Sequence, residues 1–76
     1  MSTTVQIVKY KVVLDKIARH TGINKKDMDI VLKHSVGLEG SCKDFDKDQM
    51  NDLIESAYYT AIQIGLKVDD NDNIHT

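Results

Sequence analysis

Apolar residues recur at helical spacing in three separate stretches of this chain, and the breaks between stretches fall at glycines. Between Lys9 and His20, the positions Val13, Leu14, Ile17 and Ala18 share one side of a helix. Between Lys25 and Val36 the corresponding stripe is Met28, Val31, Leu32 and Ser35, with Ile30 and Val36 beside it. From Asp46 to about Ile64, Met50, Leu53, Ile54, Ala57, Ala61 and Ile64 keep the same period.

The punctuation agrees with the periodicity. Gly22 suits the left-handed residue that closes a first helix, and Asn24 is a good cap for a second, with Asp27 three residues on. Gly37 is the next stop. Asp46 and Gln49 have the spacing of a capping box, and Phe45 stands where a hydrophobic staple pins a third helix. Gly65 followed by Leu66 has the form of a Schellman stop, while residues 38–45 read as a loop.

Residues 4–13 fit two descriptions. Val5, Ile7 and Lys9 alternate with Gln6, Val8 and Tyr10, which is a strand pattern rich in β-branched residues. A backward extension of the first helix instead puts Val5, Val8, Val12, Val13 and Ile17 on one side. The helix is preferred, because no second strand is present to pair with a first. The expected fold is all-α: a three-helix small domain over residues 1–68 with a central helix-turn-helix-like hairpin, and a flexible acidic tail over 69–76.

Composition sharpens this picture at a few points. The chain has 76 residues, no Pro, no Trp and four Gly, so little interrupts regular structure. A domain this small buries only roughly 60% of its unfolded surface, and stability on the order of 5 kcal/mol follows. Dimerisation would widen that margin. No apolar run is long enough to span a bilayer, and the N-terminus lacks the apolar core of a signal peptide. The single cysteine, Cys42, points to a reducing, cytoplasmic setting.

Charge is segregated along the chain. Residues 1–43 hold eight bases and four acids, net +4; residues 44–76 hold two bases and eight acids, net −6. The front portion can meet an anion, or the two halves can attract each other.

The segment LDKIARHTGINKKDMDIVL, Leu14 to Leu32, resembles the N-terminal helical hairpin of the bacterial histone-like HU and integration-host-factor family. The matching residues are Leu14, Ile17, Ala18, Thr21, Gly22, Ile23, Asn24, Lys25, Lys26, Asp27, Val31 and Leu32. The resemblance covers about a third of the chain and implies a dimerising hairpin. The family continues into a sheet and basic arms that enter the minor groove. This chain departs from it after Gly37, with an acidic third helix and no counterpart of the family's DNA-contacting arms.

Three sets of residues could carry function. Tyr58, Tyr59 and Tyr10 are candidate anchors of a protein interface; Tyr58 and Tyr59 point to adjacent helix faces, so at least one must leave the apolar stripe. Lys16, Arg19, Lys25, Lys26 and Lys33 could hold nucleic-acid phosphates, although Asp27 and Asp29 share the turn and a solvated charged face is the plainer reading. Asp44, Asp46, Asp48, Asp52 and Glu55 fall at positions 1, 3, 5, 9 and 12 of a calcium loop. Position 6 of that loop is Gln49 instead of glycine, and capping of the third helix explains the same acids. Cys42, His20, His34 and His75 lack the close pairs of a zinc site, and so small a helical chain offers little room for an enclosed catalytic pocket.

The expectation is therefore a non-catalytic regulatory or adaptor protein without cofactor, a homodimer that binds another protein through an exposed helix face. The alternatives are a DNA-associated helix-turn-helix or HU-hairpin-like protein, and a divalent-ion sensor.

Overall fold

A computed structural model describes residues 4–66. The tail expected at 69–76 lies outside the described residues. Helix α1 runs Thr4–Thr21, α2 Lys25–Ser35 and α3 Lys47–Gln63, with a short 3-10 turn at Cys42–Asp44 inside the expected loop. The fold is an all-helical three-helix domain, and among the described residues there is no strand. Residues 4–10 thus extend α1 backward, as preferred.

Each helix end is closed by the chemistry its residues offer. The Gly22 amide donates to the Ala18 carbonyl at 2.9 Å with φ +74°, a left-handed cap that a side chain would strain. Asn24 Oδ1 accepts from the Lys26 amide at 2.8 Å and opens α2. Helices α2 and α3 both finish in Schellman pairs. Leu38 and Gly37 donate back to Lys33 and His34; Leu66 and Gly65 donate back to Ala61 and Ile62. The capping box is complete, with Gln49 N donating to Asp46 Oδ1 at 2.8 Å and Asp46 N donating to Gln49 Oε1 at 2.9 Å.

The core combines Tyr10, Val13, Leu14 and Ile17 of α1 with Met28 and Leu32 of α2 and Met50, Leu53, Ile54, Ala57 and Ala61 of α3. Cys42 and Phe45 close it from the connecting segment. Phe45 and Met50 are buried together, as a staple requires. Helix α1 lies chiefly on α3, and both start at the same end: Gln6 Nε2 donates to the Lys47 carbonyl at 3.1 Å and to Asn51 Oδ1 at 3.0 Å. Ser35 and Ser56 hydroxyls, 2.8 Å apart, tie α2 to the other flank of α3.

Two apolar stripes differ from expectation. Val5 and Val8 do not join Val13 and Ile17 in the core; they are 64% and 52% exposed, on the opposite side of α1. In α2, Val31 is exposed and Ser35 lies at the exposed edge of the seam with α3, whereas Lys33 is buried. The helix has rolled so that a lysine, rather than a valine, lies against the connecting segment. The reason is polar: Lys33 Nζ donates to Asp29 Oδ2 and to the Gly40 carbonyl, each at 2.7 Å.

Candidate protein-binding face

Helix α3 turns one row of residues inward and, among the described residues, leaves the opposite row largely exposed. Tyr59 is 66% exposed and Ile62, three residues further on, is 61% exposed. Asp52 and Glu55 precede them on the same outward side, and Tyr59 shares a shallow depression with Asp52, Glu55, Ser56 and Val36. Exposed apolar groups of this size, bordered by acids, are what a docking face needs. Tyr58, its neighbour in sequence, is half-buried and covered by Lys9, whose Nζ lies 5.7 Å from the ring centre.

That lysine marks where α1 meets α3. Val5 lies one turn before Lys9, near that seam, while Val8 and Val12 line a concavity with Lys11, Asp15, Lys16, Arg19 and Lys25 on the outward edge of α1. The edge is basic. Helix α1 carries Lys9, Lys11, Lys16 and Arg19 against Asp15 alone, net +3, whereas α3 carries Asp48, Asp52 and Glu55 against Lys47, net −2.

Tyr10 does not belong to an interface. It is fully buried, and its hydroxyl donates to Asp29 Oδ1 at 2.5 Å. Burial, then the hydrogen bond and the charge of Asp29, push the phenol well above its ordinary range, so it stays neutral. Tyr10, Asp29, Lys33 and the Gly40 carbonyl form one hydrogen-bonded chain linking α1, α2 and the connecting segment. The Lys33 ammonium also lies 5.9 Å from the Phe45 ring centre. Periodicity could not reveal this chain, although Asp29 and Lys33 stand at i,i+4 beside Met28 and Leu32.

Of the five candidate phosphate-binding residues, Lys33 is therefore removed to the interior. Arg19 lies 3.0 Å and Lys25 3.5 Å from Asp15, which draws both toward α1. Lys16, Arg19 and Lys25 line one concavity with Val8 and Val12. Lys25 and Lys26, at the N-terminus of α2, line a second open cleft of about 540 Å³ with Lys11 and Lys43, which sequence spacing could not bring together. Cys42 is also in its wall; burial raises the thiol above its ordinary range, which suppresses the nucleophilic thiolate.

The calcium loop is not formed. Asp46 is consumed by the cap, and the segment from Lys47 onward is helical, so Asp48, Asp52 and Glu55 point out along α3 instead of converging. Without a glycine at Gln49 the chain has no means to fold back around an ion. Among the described residues no group of three or more His, Cys, Asp or Glu is placed to hold a metal.

Comparison with known proteins finds no matching family model, curated protein or solved structure. The class that fold and surface define is a three-helix domain with an acidic, apolar outer face on α3 and a basic one on α1. Among the described residues no helix is long and apolar enough to cross a membrane.

Proposed function

We propose that this protein is a non-catalytic adaptor of the cytoplasm that binds another protein through the outward face of α3. The observation that carries the reading is Tyr59, 66% exposed beside Ile62 at 61%, with the core already filled behind them. Among the described residues most of the surface of these side chains is uncovered, and burying both on a partner would contribute about 2–4 kcal/mol. Tyrosine suits the role because its ring is rigid and its hydroxyl can stay hydrated.

The test is a photo-crosslinking residue at position 59, introduced in cells. A discrete adduct that disappears with Ile62→Asp is the expected result. Absence of any adduct at 59, while crosslinking through Ile30 on α2 succeeds, would move the binding face elsewhere.

A second reading is favoured by one feature, the convergence of Lys11, Lys25, Lys26 and Lys43 around an open cleft. These would contact the phosphates of DNA without reading bases. Gel shift at about 50 mM salt tests it, with Lys25→Glu and Lys26→Glu abolishing the shift and higher salt weakening it. No shift at low salt would remove this reading.

A further inference from the structure

We propose that the partner seated on the α3 face is a second copy of this chain, with α1 of each copy lying against α3 of the other. The inference rests on the protein-binding reading above and names its occupant. Helix α1 presents Val5, Val8 and the half-buried Val12 on a basic edge; α3 presents Tyr59 and Ile62 on an acidic one. Both faces carry apolar groups, and each has the charge that the other lacks. The net charges, +3 for α1 and −2 for α3, choose the pairing. Laying α1 on α1 would set like charges together and leave Asp52 and Glu55 without cations, while α1 on α3 brings opposite charges together twice.

Geometry lets the contact close. Gln6 pairs with Lys47 and Asn51, and Lys9 covers Tyr58, so the two helices lie side by side and start at one end. Their outward faces both turn away from the core. A twofold axis along the helix direction then exchanges the two positions, and the same contact forms twice in a closed pair. Nucleic acid is a poorer occupant of the valine edge, since a phosphate backbone offers the exposed valines nothing apolar.

Sedimentation equilibrium of the purified protein is the test. A dimer is expected at tens of micromolar, weakened at least tenfold by Val8→Asp and by Ile62→Asp, with circular dichroism confirming retained helix in each. Both substitutions are at exposed positions, so folding should survive. The double variants Lys9→Glu/Lys16→Glu and Asp52→Lys/Glu55→Lys should each be monomeric, and an equimolar mixture should recover a one-to-one heterodimer. A wild-type protein that stays monomeric at millimolar concentration overturns the proposal, as does a dimer indifferent to Val8→Asp and Ile62→Asp. If the purified protein is monomeric yet a residue-59 adduct of other mass still forms in cells, the protein-binding reading stands and only its occupant is wrong.

Discussion

Lys33 shows how one side chain can reset a helix. A stripe drawn through Met28, Val31, Leu32 and Ser35 leaves it at the edge, yet it is 9% exposed, with Asp29 and the Gly40 carbonyl on its ammonium. Replacing it by Met removes the cation and leaves the carboxylate of Asp29 with Tyr10 alone. Urea unfolding should register a loss of about 2–3 kcal/mol, and the double change Lys33→Met/Asp29→Leu should be milder than the single. A single substitution as harmless as an ordinary surface change would mean the pair is not coupled to folding. Tyr10 and Cys42 add a pH dependence. Both groups have folded values above their ordinary 10.0 and 9.0, so their protonated forms are favoured by the fold. Their contribution is intact below about pH 9 and is lost as the unfolded chain releases protons at higher pH. Stability should therefore fall from about pH 9 upward, and Tyr10→Phe should flatten the fall above about pH 10, as measured by thermal melts across the range.

At the scale of elements, the ends were more legible than the faces. Gly22, Asn24, Gly37, the Asp46–Gln49 pair and Gly65 act locally, through hydrogen bonds within a few residues, so their roles could be read without knowing the rest of the fold. The α3 stripe was legible too, because six positions agreed on one direction. Faces in α1 and α2 depend on what packs against them. Val5 and Val8 are as apolar as Val13, and only the position of α3 decides which are covered. Tyr10 read as an anchor for the same reason: its partner, Asp29, is distant in sequence. The exposed Tyr59 was anticipated in kind, since adjacent tyrosines cannot both face inward; the lysines around the cleft were not, because Lys11 and Lys43 meet only through the fold. Two element-level outcomes follow. Asp46→Ala should cost about 1 kcal/mol in urea unfolding, the usual value of a lost cap. Ala57 is fully buried, and Ala57→Leu should cost about 1–3 kcal/mol through overpacking.

For the molecule as a whole, thinness is the governing quantity. The Cα atoms of the described residues extend 30 × 25 × 16 Å, so no interior point among them is far from solvent and their concavities are open clefts. So shallow a body gains by pairing, and the melting temperature should rise with protein concentration over a hundredfold range; a constant value would speak for a self-sufficient monomer. The grip of Lys33 on the Gly40 carbonyl has a practical consequence as well. An amine-reactive reagent will label the side chains of Lys25 and Lys26 at once, but can reach the sheltered ammonium at 33 only when the segment beside it lifts away. The kinetics of that one acylation, followed by mass spectrometry, would time the opening of the domain without any change to its sequence.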